Sequence, residues 1–522
     1  MRKAFWRLLR LIGIGLLVVL VLVISGVLLA DRLTPRATGA PGHALALEDG
    51  QTEIDRELAP MLAANPGKTG VLMLSDGLDG FSSRAVSARR AGRSLDLQYY
   101  IWHDDLTGHL LAREVYRAAE RGVRVRLLLD DMNAEGLDPK LMTLDAHPNI
   151  ELRLYNPFRN REGIGRLFEM VQRVFSVNHR MHNKAWIADG RVAVVGGRNI
   201  GEEYFSANPE VNFRDLDLLL FGPAVKQAST IFDDYWNSTA AVPVAALARK
   251  KPERMRELAA QLESEAAGID AQPYLERLGQ SQGMRAYLAR ELAPHWIESV
   301  QIVSDPPLKW KSDDRSGWLV EPLTAMLKGA RQKALLISPY FVPGEEGSNG
   351  LKGLVARGVS VGVVTNSLAA NDVPAVHSGY ARYRERLLLD GVSLHEMKAR
   401  TQVDSSGVFG SSGASLHTKA FVVDDARGFV GSFNLDPRSV DLNTEMGVVF
   451  EDAELARELR NEYLRLARPD LSYWVYLDGE GRLRWLDWSE APPLVFGTEP
   501  DASLMRRLLV VVLGWLPIES QL

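Results

Sequence analysis

The 522-residue chain contains no cysteine. Disulfide staples, thiolate metal centres and a cysteine nucleophile are therefore excluded, and the absence leans only weakly toward an oxidising compartment. An excess of positive charge is also missing. Lys and Arg number 61 against 66 Asp and Glu, a net charge of −5, which gives no support to a broad electrostatic hold on DNA or RNA. Nor is the composition that of a disordered chain: 46% of residues are apolar and 24% charged, enough to build real cores. The length allows two to four domains.

Long apolar runs are present at both ends. Arg2, Lys3, Arg7 and Arg10 precede residues 11–30, which carry no charge over twenty positions, long enough to cross a bilayer core as a helix. Leu28 and Ala30 make a poor small-x-small cleavage site, so an uncleaved anchor is expected. The basic cluster holds the N-terminus in the cytoplasm and places everything after Asp31 across the membrane. Residues 31–50, rich in Pro, Gly and Ala, read as a tether. Near the C-terminus Arg506 and Arg507 precede an apolar run, 508–517. That run is too short to span, so it either lies on a membrane surface or packs as a helix on the protein.

The middle of the chain repeats itself. HNKAWIADGRVAVVGGRN at 182–199 matches HTKAFVVDDARGFVGSFN at 417–434, and each reads His-x-Lys-x4-Asp-x6-Gly-x-x-Asn. Upstream, the strand-like LDLQYYIW (95–102) and ALLISPYFVP (334–343) both end in aromatics. Each is followed by a helical stretch closing on Arg-Gly-Val, at 121–123 and 357–359, and then by a second strand. Strand, helix, strand and hairpin in matched order imply a duplicated α/β domain. The expected organisation is an anchor over 1–34, a tether over 35–69, a first α/β domain over 70–245 and a helical connector over 246–298. A second α/β domain follows over 299–470, and an extension with a membrane-associating segment over 471–522. The charge-dense stretch 249–268 reads as a solvated helix within the connector.

A strand face repeats every two residues, so His182 and Lys184, like His417 and Lys419, project to one side. A purely structural hairpin does not call for a His and a Lys on one face in both copies, because charge on a sheet face is costly unless solvated or paired. Brought together across a pseudo-twofold interface, the two sets form a cationic, donor-rich pocket. Lys184 and Lys419 would neutralise the oxygens of a phosphodiester, with Asn199 and Asn434 donating further hydrogen bonds. One imidazole attacks phosphorus, while the other protonates the departing alkoxide and then deprotonates the incoming alcohol or water. Each histidine needs an orienting carboxylate. Asp215, 33 residues after His182, and Glu445, 28 after His417, are the candidates. Asp189 and Asp424, the motif aspartates, end their strands at turns and are expected to bond backbone there. A metal site is disfavoured, since each histidine is paired with a repelling lysine and no further ligand stands at ligand spacing. His179 is expected at the surface. No cofactor is implied.

The paired motifs resemble the HKD motifs of the phospholipase D superfamily. The flanks RMHNKAWIADGRVAVVGGRNIGEEYF, FRDLDLLLFGP, ISPYFVPG, DVPAVHSGYARYRERLLLDGVSLHE and LPIESQL resemble bacterial cardiolipin synthases, most closely the C type, over nearly all of 70–522. The resemblance implies an α/β fold of two tandem phospholipase D-like α/β/α sandwich domains sharing a pseudo-twofold active site, in addition to the N-terminal transmembrane helix. It implies a phosphatidyltransferase that makes cardiolipin from phosphatidylglycerol and a second phospholipid, phosphatidylglycerol or phosphatidylethanolamine. His182 would be the nucleophile and His417 the general acid and base, although the residues themselves are symmetric on this point. The expected setting is the bacterial inner membrane, with the catalytic domains on the periplasmic side. Phospholipids are the expected partners, not nucleic acid. Hydrolysis of a phospholipid uses the same residues and stays open as an alternative. One departure separates the copies: Gly197 stands where the second copy has Ser432.

Overall fold

The computed structural model describes residues 37–134, 137–158, 160–161, 178–312, 314–399 and 414–522, with a few isolated positions besides. The run 11–30, expected to span a membrane, falls mostly outside them. Among the described residues no helix is long and apolar enough to cross a membrane.

Strands form where β-branched and aliphatic residues run between turn residues. They are β1 (Thr69–Leu74), β2 (Ser94–Tyr99), β3 (Arg124–Asp130), β4 (Ile150–Tyr155), β5 (Ala185–Ala188), β6 (Val192–Gly196), β7 (Asn212–Arg214), β8 (Asp217–Phe221), β9 (Ala241–Pro243) and β10 (His295–Ile297). The second half adds β11 (Ser299–Ser304), β12 (Lys333–Ile337), β13 (Ser360–Asn366), β14 (Ser393–Met397), β15 (Ala414–Leu416), β16 (Lys419–Val423), β17 (Arg427–Gly431), β18 (Met446–Glu451), β19 (Ser472–Leu477), β20 (Leu483–Asp487) and β21 (Leu494–Phe496). The first sheet runs β10-β1-β8-β6-β5-β2-β3-β4-β9 and the second β11-β18-β17-β16-β12-β13-β14-β19-β20-β21. From β1 to β9 and from β11 to β19 the orders correspond strand for strand. In each sheet three neighbours, β2-β3-β4 and β12-β13-β14, are parallel. The duplication read in the motifs therefore extends to the whole topology.

Helices that pack on the sheets include α1 (Gly77–Arg90), α2 (Leu106–Glu120), α3 (Ala224–Trp236), α5 (Gly344–Ala356), α6 (Pro374–Leu389) and α7 (Ala453–Leu466), while α4 (Met255–Ala267) packs on α2 and α8 (Leu504–Gly514) on α6. The Arg-Gly-Val repeats are helix stops. Gly122 after α2 and Gly358 after α5 have φ of +92° and +84°, a conformation that costs glycine little. The arginine before each glycine donates to a carbonyl of a neighbouring segment, Arg121 to Ala88 and Arg357 to Lys328. The valine after it turns into the core.

The two halves share their middle layer. Ile187, Val195 and Leu218 of the first sheet and Val422, Val448 and Phe450 of the second enclose one apolar core with Phe232 of α3 and Leu455 of α7. Each such fully buried side chain contributes about 1.5–3 kcal/mol. Separate outer cores lie beneath the remaining helices. The stretch 246–298 contains the helix α4 and ends in β10, which pairs with β1 at the edge of the first sheet. Beyond residue 471, β19, β20 and β21 widen the second sheet before the chain reaches α8.

Candidate active site

The two motif hairpins, β5–β6 and β16–β17, turn on two residues that both have positive φ: Asp189 (+55°) and Gly190 (+66°), and Asp424 (+56°) and Asp425 (+51°). That is the handedness a tight hairpin requires. The carboxylate of Asp189 accepts the backbone N–H groups of Gly92, Arg93 and Ser94 at 3.0, 2.7 and 3.0 Å. Asp424 does the same for Arg331, Gln332 and Lys333 at 2.9, 2.8 and 2.9 Å. Both aspartates thus pin a hairpin to the start of β2 or β12, at the opposite end of the strand from its histidine.

At that other end the halves meet. His182 Nδ1 lies 2.8 Å from Glu445 Oε2, and His417 Nδ1 lies 2.6 Å from Asp215 Oδ2. The expected pairing, Asp215 with His182 and Glu445 with His417, is therefore crossed: each histidine takes its carboxylate from the other half. The backbone shows why. The N–H of His182 donates to the carbonyl of Thr444 and that of His417 to Arg214, both at 2.8 Å, and β15 runs parallel to β7. Each histidine rests on the opposite half, on the residue that immediately precedes its carboxylate.

The rest of the site is less symmetric. Lys184 Nζ donates to the carbonyl of His182 at 2.6 Å and lies 5.3 Å from the centroid of the Tyr100 ring. Lys419 Nζ donates to the carbonyl of His417. Asn199 is held by the protein, donating to the Tyr204 hydroxyl at 2.9 Å and accepting from the N–H of Ile101 at 3.2 Å. Asn434 is buried, and among the described residues its Oδ1 has no partner. The Gly197/Ser432 difference also has a structural meaning. Ser432 Oγ donates to Glu445 Oε2, whereas a Cβ at 197 would collide with the carboxylate of Asp215.

Several supporting groups carried no signal in the motifs. Ser439 Oγ donates to Glu445 Oε1 at 3.0 Å. The N–H of Glu445 donates to Asp305 at 2.9 Å, and Asp305 is paired with Lys309 at 2.8 Å. Tyr100 packs edge-on against His182, with ring centroids 5.0 Å apart; Tyr204 and Phe213 flank His417 at 5.2 and 5.3 Å. The aromatic ends of the upstream strands foreshadowed Tyr100 alone. His179, expected at the surface, is half-buried and stacked on Trp310 at 4.9 Å.

Burial dominates the electrostatics. It pushes His182 down to about 4 and His417 well below the ordinary histidine value, so both imidazoles are neutral in the free pocket at neutral pH. The lysines are also lowered by burial, Lys184 strongly and Lys419 to about 8. Burial opposes ionisation of Glu445, but His182, Lys184 and the Ser432 hydroxyl outweigh it and hold the carboxyl below its usual value. Burial raises Asp215 against the pull of Lys419 and Arg198. An anionic phosphodiester beside these groups would favour the charged lysines and a protonated imidazole.

Two other features involve no motif histidine or lysine. A cavity of about 750 Å³ opens between the helix Glu53–Ala64, α1 and the segment 283–292, and none of the motif His, Lys, Asp or Asn residues lines it. His103, Asp105 and Glu203 bring three ligand-type atoms together, with His103 and Glu203 3.2 Å apart. None of the three belongs to the motifs.

Two α/β halves that share one pocket, each supplying a histidine, a lysine and the carboxylate for the other's histidine, define a phosphodiester-transferring protein of the phospholipase D class. The family described as "Cardiolipin synthase, PLD-like domain" matches residues 87–236 and 323–467, one stretch in each half, and the chain belongs to that family. It is 39% identical to cardiolipin synthase C of Escherichia coli K12 over 468 residues, covering 88% of this chain and 98% of that protein. An uncharacterized protein of Helicobacter pylori J99 is 32% identical over 88% of this chain and 90% of its own. A Staphylococcus aureus Mu50 cardiolipin synthase is 26% identical over 75% of this chain and 65% of its own. Among solved structures, phosphatidylserine synthase of Haemophilus influenzae Rd KW20 shares the fold, with a TM-score of 0.56 over 90% of this chain and 99% of that one at 13% identity.

Proposed function

We propose that the protein transfers a phosphatidyl group from one phospholipid to the hydroxyl of phosphatidylglycerol and so makes cardiolipin. The observation that carries this reading is the pair of crossed His–carboxylate dyads in one buried pocket, in a chain 39% identical to a cardiolipin synthase C over nearly that protein's whole length. In the first step Nε2 of His182 attacks phosphorus and the donor's head-group alkoxide leaves, taking a proton from His417. In the second, His417 removes the proton from the phosphatidylglycerol hydroxyl, the alkoxide attacks phosphorus, and the His182–phosphorus bond breaks. Glu445 and Asp215 fix the ring orientations and favour the imidazolium as it forms. Lys184, Lys419 and Asn434 stabilise the charge that builds on the phosphoryl oxygens.

The setting belongs to the same proposal. Residues 1–34 anchor the chain in the inner membrane with the N-terminus in the cytoplasm, and the catalytic halves, 70–245 and 299–470, face the periplasm. Protease protection in sealed vesicles of known orientation tests this arrangement. No step calls on a metal, so turnover is expected to survive EDTA. The decisive assay supplies labelled phosphatidylglycerol to purified protein, with and without phosphatidylethanolamine. Labelled cardiolipin is the expected product; phosphatidic acid alone would make the protein a hydrolase.

A further inference from the structure

The helix α8 has an unusual distribution of charge. Its two arginines turn inward: Arg506 donates to the carbonyl of Asn371 and Arg507 to that of Glu499, the latter at 2.6 Å. Between them and the helix end, Val510 packs against Leu368 and Ala502. The opposite side is apolar and open. Leu504, Leu508, Val511 and Trp515 form one row at i, i+4, i+7 and i+11, and the residues following each of them, methionine, leucine, valine and leucine, form a second. All are between 44% and 78% exposed. Exposed apolar surface of this continuity marks a contact site rather than ordinary surface.

The helix is firmly held. Ser503 caps its first turn, and Arg382 of α6 donates to the carbonyls of Gly514 and Leu516 at its end. Upstream, Glu499 bonds Arg384 at 2.7 Å and His377 at 3.2 Å. Downstream, the carbonyl of Leu522 accepts from the N–H of Arg438 at 2.6 Å. The helix is also tied to the catalytic pocket. Asn371, which receives Arg506, follows Ala370, whose carbonyl accepts the Ser415 hydroxyl at 2.9 Å two residues before His417. On its other side Asp372 accepts from the Tyr340 hydroxyl at 2.8 Å, and its charge acts on Lys419.

We propose that the outer face of α8 inserts into the lipid bilayer interface and seats the mouth of the pocket against the membrane. Eleven residues make a helix of about 16 Å, too short to cross a hydrocarbon core of about 30 Å. A helix lying in the interface plane with its apolar rows in the acyl boundary and a terminal tryptophan at head-group level fits that length. A bilayer is the occupant favoured here because the pocket to which the helix is fastened takes phospholipid, a point that rests on the function proposed above. Chemistry and seating are thereby coupled, since a lipid phosphate reaches the histidines without its acyl chains leaving the bilayer.

The absence of cysteine makes the test clean. Leu509→Cys and, on the exposed side of the connecting helix α4, Ser264→Cys are each labelled with an environment-sensitive fluorophore in the full chain reconstituted into phosphatidylglycerol vesicles. The label at 509 is expected to shift to the blue and to be quenched by brominated lipid, and the label at 264 to do neither. A label at 509 that remains in water overturns the proposal. In parallel, Leu508→Asp with Val512→Asp is expected to lower turnover of vesicle phosphatidylglycerol by about tenfold or more. Turnover of a dispersed short-chain analogue should be unchanged. Equal turnover of both substrates by variant and wild type also overturns it. If the wild type makes no cardiolipin while residue 509 is quenched by lipid, the functional reading fails and the docking surface stands.

Discussion

His182 and His417 are held alike but not supported equally. Glu445 accepts from the hydroxyls of Ser432 and Ser439 as well as facing His182. Asp215 has the N–H of Leu216 beside His417. Loss of the Ser432 hydroxyl should therefore loosen only the His182 dyad, and Ser432→Ala is expected to reduce kcat by about 10-fold, within the range seen for supporting hydrogen bonds. Glu445→Gln keeps the shape but removes the charge, and about 10²–10⁴-fold is expected; rapid-quench kinetics should place the loss in formation of the covalent intermediate. A variant with unaltered first-step rate would detach Glu445 from His182. The pH dependence follows from the same burial. His182 must be neutral to attack, and its value is lowered to about 4, so the acid limb of kcat/KM should come only on approach to pH 4, while His417, also lowered by burial, gains the proton it donates as the anionic substrate binds. An acid limb at the ordinary histidine value would contradict this. Stability moves in the same sense: the unfolded chain takes up a proton near pH 6.5 that the folded site refuses. Stability is then lost as pH falls from about 6.5 toward 4.

Among the elements, the hairpins show what a repeat pattern encodes. The period of two in HNKAWIAD and HTKAFVVD fixed the shared face of histidine and lysine, and the aspartate at the turn marked the strand's end. The carboxylates of Asp189 and Asp424 each collect three backbone N–H groups at the start of a neighbouring strand. Asp189→Ala strands those donors in a partly buried turn, and a loss of about 1–3 kcal/mol in unfolding free energy is expected; denaturant melting measures it. An unchanged midpoint would remove the aspartate's structural role. The Arg-Gly-Val stops were equally legible, because a glycine after a helix has one common use. The partner of each histidine was not. Chain proximity pointed to the carboxylate of the same half, whereas contact across a pseudo-twofold interface chose the opposite one. Ser439, Asp305 and Lys309 left no mark in the paired motifs, being neighbours of Glu445 only after the second half folds.

At the scale of the whole molecule, two sheets of matching order enclose one core and one pocket. A single chain thus holds every part of the proposed site. Mixing the inactive variants His182→Ala and His417→Ala should not restore cardiolipin formation, and recovery on mixing would mean that sites are assembled between chains. The apolar end of the sequence also gains meaning at this scale: α8 packs one face on the second half and leaves the other open. The central claim, two histidines with divided roles in one shared site, is tested most directly by trapping the intermediate. Quenching of the enzyme and labelled phosphatidylglycerol in denaturant at neutral to mildly alkaline pH, which preserves the acid-labile phosphorus–nitrogen bond, followed by peptide mass spectrometry, should find the phosphatidyl group on His182. The adduct should persist in His417→Ala and be absent from His182→Ala. Label on another residue, or full turnover by either variant, would contradict the account.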